Sequence, residues 1–273
     1  MSKKRIKKFI LCFASILLSI PIIIPLYMMI VGSFKSLVEA ARMDLKLPSK
    51  WLFENYSTVI IEGNLLRAFL NSVLIAFTSV TIIVVFSSLA AFYFARNNSK
   101  LSKYFYSVYI LGLIAPLNIV PTIKLMQVLG IMGTYLSIIL LFCATYIPLC
   151  AFLITGFIKT IPRELDEAAI IDGCDKFSVF FRIIFPLLSP VIATASIITF
   201  MGVWNSFILP LYFLNISTKW TMPLTVYNFF GQYSSSWNLV FADLVLTALP
   251  VMIFYIICQK YIIKSMVEGA VKG

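Results

Sequence analysis

The sequence predicts an all-α integral membrane protein with six transmembrane helices, both termini on the cytoplasmic side, and a two-helix cytoplasmic loop between the fourth and fifth spans. Three observations carry that expectation. Hydrophobic residues make up 61% of the 273-residue chain and charged residues 12%, against about 45–50% and about 25% in a soluble domain. Six apolar runs reach the length of a span, about 20 residues each. The Lys and Arg residues are unevenly divided between the two sides that those runs define.

The first run, Phe9–Val31, follows Lys3, Lys4, Arg5, Lys7 and Lys8. A charged start also opens a secretory signal, but this apolar run exceeds the usual h-region, so it is expected to remain as a span. The other spans are expected near Phe69–Phe94, Tyr104–Ile123, Leu136–Ile158, Leu187–Leu209 and Leu244–Ile263. With the N-terminus inside, 15 of the 22 Lys and Arg fall in the N-terminal tail, Ala95–Lys103, Lys159–Pro186 and the stretch after Ile257. Of the remaining 7, five lie in the long outer loop Gly32–Ala68, where Glu39, Asp44, Glu54 and Glu62 nearly offset them. This is the positive-inside pattern, and it gives both termini a cytoplasmic place. A single transmembrane domain over residues 1–273 follows, with no room for a large catalytic domain outside the membrane.

The net charge of +11 invites a nucleic-acid reading, but in so apolar a chain the basic excess marks cytoplasmic loops facing membrane lipid. No nucleic-acid partner is expected. Histidine is absent, which removes imidazole metal ligands, His-based triads and His proton relays. The five cysteines, Cys12, Cys143, Cys150, Cys174 and Cys258, form no Cys-x-x-Cys pair and four lie in apolar runs, so they read as packing residues. Neither a metal site nor a catalytic residue is expected.

The first five spans contain no acidic residue, and Asp243 falls at the outer edge of the sixth. Lys124 ends the third span, where its stem can snorkel to the interface. Ion-coupled pumps usually carry an ionisable group within the membrane, so the pattern argues against an ion-coupled secondary transporter, which stands as the alternative class. A polytopic membrane enzyme or assembly factor is a further class, and the enzyme lacks any convergent acid–base or nucleophile pair. Pro21, Pro25, Pro116, Pro121, Pro148 and Pro250 interrupt the spans. Ser87, Ala91 and Ala95 recur every fourth position and allow another helix to approach closely.

The strongest local signal lies between the fourth and fifth spans, in Lys159–Pro186. Pro162 suits a helix start, and Glu164, Asp166 and Glu167 supply the negative charge favoured in a first turn. Gly173 is placed to end that helix and Asp175 to begin a second. Phe177, Phe180, Phe181 and Ile184 then form an apolar stripe, and Pro186 stops the helix before the membrane. Taken alone, these residues fit a projecting knob, with Ala168 and Ala169 small enough for close contact with a partner. They fit equally an amphipathic loop lying on the membrane surface.

At these residues the chain resembles a known family. Glu167-Ala168-Ala169, then Gly173 four residues on, then Ile183 and Pro186, is similar to the EAA motif of binding-protein-dependent ABC transporter permeases, E-A-A-x3-G-x9-I-x-L-P. Phe185 stands where the family usually has Leu. Asp172 before the glycine resembles the carbohydrate-transporting branch, with Cys174 in place of an Ala. Weaker marks extend along the chain: Glu54-Asn55-Tyr56, Asn71-Ser72, the stretch Ala90–Arg96, Trp204-Asn205, and a C-terminal Glu268–Gly273 like that of maltose-type sugar permeases.

The resemblance implies the smaller permease subunit of a sugar importer in the bacterial cytoplasmic membrane. Its implied partners are a second permease in a heterodimer, two copies of a cytoplasmic ABC ATPase, and an extracytoplasmic solute-binding protein. The chain has no G-x-x-x-x-G-K-[ST] segment, so it is expected to be no enzyme and to bind no cofactor, with ATP and Mg on the partner ATPase. Glu167, Ala168, Ala169, Asp172, Gly173, Ile183 and Pro186 are the implied ATPase-coupling set, with the C-terminal tail as a further contact. For the solute path, Asn118, Trp204, Asn205 and Tyr212 combine aromatic faces with hydrogen-bonding groups. Each also fits an interfacial anchor or interhelical contact.

Overall fold

The computed structural model describes residues 3–231 and 235–270. These residues are mostly helical and include no strand, only an isolated bridge between Phe230 and Ser235. In chain order the helices are α1 (Lys3–Gly32), α2 (Leu37–Ala41), α3 (Glu54–Glu62), α4 (Leu65–Arg96), α5 (Lys100–Ile114), α6 (Ile119–Val128), α7 (Tyr135–Ile158), α8 (Glu164–Ile171), α9 (Lys176–Ser178), α10 (Phe185–Leu187), α11 (Ser189–Trp204), α12 (Ile208–Phe213) and α13 (Trp237–Ala270). A π-helical turn, Val179–Ile184, joins α9 to α10, and short 3₁₀ turns cover Ser217–Lys219 and Met222–Asn228.

The helices follow the apolar runs because a backbone in hydrocarbon must bond to itself. Among the described residues, three stretches reach spanning length in one piece, Leu65–Arg96, Tyr135–Ile158 and Trp237–Gln259, and α1 contributes the apolar stretch Leu17–Gly32. The third predicted span, Tyr104–Ile123, is not one rod, since α5 and α6 meet at 117°. Ala115 takes extended backbone, φ −68° and ψ 125°, as the residue before a proline prefers, and Pro116 has no N–H for the helix ladder. The fifth predicted span, Leu187–Leu209, holds its helix only to Trp204 before α12 starts anew at Ile208.

The helix at the sixth predicted span, α13, begins earlier than the apolar run suggested. Opening at Trp237, it places Asp243 inside the helix and not at its edge; the residue is 1% exposed and accepts a hydrogen bond from Thr225 Oγ1 at 2.8 Å. Pro21, Pro25, Pro148 and Pro250 lie within continuous helices, so proline alone does not decide where a span breaks.

The chain divides into two compact units, Met1–Ala68 with Met222–Pro250, and Phe69–Thr221 with Val251–Gly273. In the first, the segment between α1 and α4 is tied by its own polar groups. Lys35 Nζ donates to Asp44 Oδ1 at 2.7 Å and to Asp44 O at 3.0 Å, which keeps the Asp44 carboxyl below its ordinary range. Ser36 and Glu39 form a reciprocal capping box at the start of α2. Hydrogen bonds from the Ser49 hydroxyl, and then from Ser36 and the Ser49 amide, hold the Glu39 carboxyl at a pKa of about 2. Asn55 donates to Ser33 O and Lys35 O and accepts from Asn238 Nδ2 at 2.9 Å.

In the second unit, close helix approach rests on small residues. Ser87, Ala91 and Ala95 are buried along α4, and Ser87 Oγ donates to Ile147 O on α7 at 3.2 Å. Cys150 Sγ on α7 meets Thr199 Oγ1 on α11 at 3.4 Å. At Gly202 a Cβ would collide with the Tyr146 phenol, so α11 and α7 touch there only because no side chain intervenes.

Candidate functional site

The site is the loop between α7 and α11, and its shape is set by three local devices. Helix α8 starts two residues after Pro162, with Glu164, Asp166 and Glu167 in its first turn. It ends in a Schellman motif: Gly173 sits at φ +86°, its N–H bonds to Ile170 O at 3.0 Å, and Cys174 N–H bonds to Ala169 O at 2.9 Å. A Cβ at Gly173 would meet nothing within 4 Å, so glycine is required there for its backbone and not for space. Asp175 then caps the second helix by accepting from Ser178 N–H at 3.0 Å, and the Ser178 hydrogen bonds hold its carboxyl below the ordinary range.

The second helix departs from the predicted stripe. Phe185 N–H bonds to Phe180 O, the i→i+5 pattern of a π turn. Phe180 and Ile184 are buried together with Val179, whereas Phe177 is 71% exposed and Phe181 is also exposed. The expected four-residue face is thus split by a change of helical register. Nor does Pro186 stop the helix, because α10 runs through it and the chain bends by 75° before α11. Pro186 is placed where the lack of an N–H costs little.

Both helices of the loop are held to the last turn of α4. Arg96 forks onto Asp166, with Nε at 2.5 Å from Oδ2 and Nη2 donating to Oδ1 at 3.2 Å. Its Nη1 donates to Ile161 O at 3.1 Å, while Arg163 Nη2 reaches Ala95 O at 3.5 Å. One turn earlier, Phe92 meets the Phe180 ring with centroids 5.3 Å apart. Residues 92 and 96 share a face of α4, so they form one landing for the loop. A cavity of about 610 Å³ opens beside it, bounded by Phe92, Arg96, Asp166, Ile170 and Phe177 among others. The sequence had marked Asp166 only as helix-end charge and Arg96 only as the end of a weak motif. Their opposite signs at two span-proximal positions were the available signal.

Of the predicted coupling set, Glu167, Ala168, Asp172, Gly173 and Pro186 are exposed and Ile183 is half-buried. Ala169 is buried in the chain's own packing, whereas Ala168 is exposed. Ile171, 85% exposed, adds an apolar tip that the sequence reading did not single out. The C-terminal tail is described only to Ala270, so the end of the predicted Glu268–Gly273 contact lies outside the described residues.

The solute-path candidates differ in exposure. Trp204 is 2% exposed and packs against Phe69 and Phe200, with centroids 5.9 and 5.5 Å away; it is a core ring of its unit and not a lining residue. Asn205 follows as the exposed C-cap of α11 and borders a small cavity of about 270 Å³ with Met201 and Tyr255. Tyr212 is exposed on α12, and Asn118 is an exposed N-cap of α6 whose side chain makes no cap bond. Trp204 and Asn205 are neighbours in the chain, one buried and one exposed.

Residues 62–268 match the family described as binding-protein-dependent transport system inner membrane component. The chain is 36% identical, over 100% of both sequences, to the probable starch degradation products transport system permease protein AmyC of Thermoanaerobacterium thermosulfurigenes. It is 37% identical to the multiple sugar-binding transport system permease protein MsmG of Streptococcus mutans, over 92% of each chain. It is 35% identical to the melibiose/raffinose/stachyose import permease protein MelC of Bacillus subtilis, over 92% of this chain and 91% of that one. Its fold is similar to that of a chain from a bacterial ABC transporter involved in the import of the acidic polysaccharide alginate, with a TM-score of 0.82 at 19% identity over 96% of this chain and 98% of that chain. The protein belongs to the binding-protein-dependent transport system inner membrane components, and is a multi-pass permease subunit of the inner membrane.

Proposed function

We propose that this permease imports a carbohydrate, an oligosaccharide or related polyol-type solute, as one half of a heterodimer driven by a separate ATPase. The observation that carries the reading is the α7–α11 knob. Its Glu167 and Asp172 make no side-chain hydrogen bond or ion pair among the described residues, and its Ile171 and Phe177 stand exposed. A loop that buried these groups against its own chain would need no partner. The full-length similarity to permeases named for sugar substrates supports the solute class.

In this reading residues 1–273 act as one transmembrane domain with six spans and both termini cytoplasmic. The knob seats in a cleft on one copy of the ATPase, and a second copy engages the partner permease. Glu167 makes the charged contact, Ala168 the close apolar one, and Gly173 sets the turn between the helices. Ile183 and Pro186 set the exit of the second helix. ATP and Mg stay on the ATPase, and an extracytoplasmic binding protein delivers the solute.

The test is proteoliposome uptake with the partner permease, the ATPase and the binding protein, using maltotriose and raffinose as probes. Uptake should require ATP on the ATPase side and the binding protein, and should survive collapse of proton and sodium gradients. Orientation is tested with single cysteines at Ser49 and Ser235, which an impermeant thiol reagent should label from outside, and at Ser178, which it should not. One observation favours the ion-coupled alternative: Asp243 is an acid buried within α13. Asp243→Asn should leave ATP-driven uptake independent of ion gradients, and uptake by this chain alone on a gradient would sink the ABC reading.

A further inference from the structure

Helix α4 is attached at both of its ends, and the two attachments lie on different loops. At one end are the Arg96 fork on Asp166 and the Phe92–Phe180 contact. At the other, Asn71 Nδ2 donates to Thr218 O at 3.0 Å and Trp220 O at 2.9 Å, while its Oδ1 accepts from Tyr135 Oη at 2.8 Å. That use of both donors and the acceptor leaves little freedom for residues 218–220. The same segment is pinned from its other side, because Lys219 Nζ donates to Gly133 O at 2.7 Å.

Between these ends α4 is an uninterrupted helix with neither Pro nor Gly in Leu65–Arg96. Twenty-five residues separate Asn71 from Arg96, about 37 Å of helix. A helix without a kink-forming residue passes axial and tilting displacement along its length, whereas α5–α6, bent by 117°, cannot. Ser87, Ala91 and Ala95 are small and buried along α4, so it has smooth contact with its neighbours over the intervening turns. Coupling between distant sites needs a rigid element with definite attachments at each end, and α4 has both.

We propose that α4 is the rod through which the α7–α11 knob is coupled to the segment at residues 214–220, with Arg96 the positioning residue that receives the knob's displacement and Asn71 the one that delivers it. The proposal rests on the importer reading above for the source of the displacement, the ATPase. It assigns no solute contact to either residue. Arg96 acts through Asp166, and Asn71 through backbone carbonyls.

The experiment uses the whole complex, purified through a tag on this chain. In Arg96→Gln, Asn71→Ala and the double variant, three quantities are read: ATPase association, ATP hydrolysis, and uptake of maltotriose and raffinose. Each single variant should keep association and hydrolysis while solute moved per ATP falls roughly tenfold. The double variant should be no worse than either single one, because both cut the same path. Arg96→Asp combined with Asp166→Arg should recover a large part of the loss. Additive losses, or uptake falling only in step with lost ATPase association, would mean that the residues merely hold the fold.

A spin label at Ile216 gives a readout independent of the solute. Its mobility should change on adding ATP, Mg and vanadate to the wild-type complex, and should not change in Arg96→Gln. An equal response in both overturns the rod. If the label behaves as expected while neither sugar is taken up, the solute assignment fails and the rod stands.

Discussion

Two loops of this permease are held by the same kinds of bond and to different effect. The α1–α4 segment has the Lys35–Asp44 ion pair and the Glu39 capping box, and the α7–α11 loop has the Arg96–Asp166 ion pair and the Asp175 cap. Lys35 and Asp44 are nine residues apart, whereas Arg96 and Asp166 are separated by 70. A pair of short range stiffens the loop that contains it. A pair of long range fastens a loop to a span, so that a force on one is felt by the other. Neither is an ordinary surface pair, since Lys35 is almost fully buried and Arg96 and Asp166 are both largely so.

The largest expected effect comes from reversing one charge in each pair. Asp166→Arg sets two guanidinium groups against each other at the foot of the knob, and ATP-driven uptake should fall by about a hundredfold. Asp44→Arg should leave uptake within about twofold and show itself as a thermal midpoint lowered by about 2–4 °C. Equal losses of uptake would erase the distinction between local and long-range pairs.

A smaller effect is expected at Gly173. Gly173→Val forces a β-branched residue to φ +86° at a cost of about 1–2 kcal/mol, with no steric clash to add. Membrane abundance should stay near wild type while uptake drops about tenfold. A variant with normal uptake, checked beside Glu167→Lys for ATPase pull-down, would show that the left-handed turn is dispensable.

Ionic strength separates the two loops more gently. Raising salt from about 0.1 to about 1 M shortens the screening length from about 10 to about 3 Å, and the largely buried Arg96–Asp166 pair, 13% and 14% exposed, should weaken only slightly. Uptake should fall about twofold in the wild type and hardly at all in Arg96→Gln, with binding-protein docking measured separately. The smallest effect concerns acid. The folded Glu39 carboxyl has a pKa of about 2 against an ordinary 4.5. A depressed folded value means that the carboxylate stabilises the loop above about pH 4.5 and that this contribution fades toward about pH 2. The thermal midpoint of Glu39→Gln should therefore lie below wild type near neutrality, with the gap narrowing as pH drops through that window. A gap that widens in acid would reverse the sign.

What was legible in the sequence is what acts over a few residues. The turn at Gly173, the cap at Asp175 and the acidic first turn of α8 all stand where the residue types placed them, because an αL glycine or a helix cap is a local choice. The apolar runs were equally plain. The fork of Arg96 on Asp166 was not, since nothing in either residue's neighbourhood specifies a partner 70 positions away. The break at Ala115–Asn118 was half-visible: Pro116 marks it, but Pro148 and Pro250 carry the same mark in unbroken helices. The helical setting of Asp243 was not legible, because hydropathy marks where an apolar run starts, while the helix itself begins at Trp237. Trp204 was legible as aromatic and not as buried, a matter of which rings surround it.

The π turn at Val179–Ile184 gives the loop a property that loops rarely have. Surface connections tolerate the loss of a residue because their length only has to bridge a gap. Here the stretch from Gly173 to Pro186 is wound, and each residue removed turns whatever follows by about 100°. Deleting one residue within the π turn would let it relax to an ordinary helix with the exit toward α11 kept nearly in register, whereas deleting one elsewhere in the wound stretch would swing Pro186 around the helix axis. The nine residues between Gly173 and Ile183 are thus a measure of angle more than of distance.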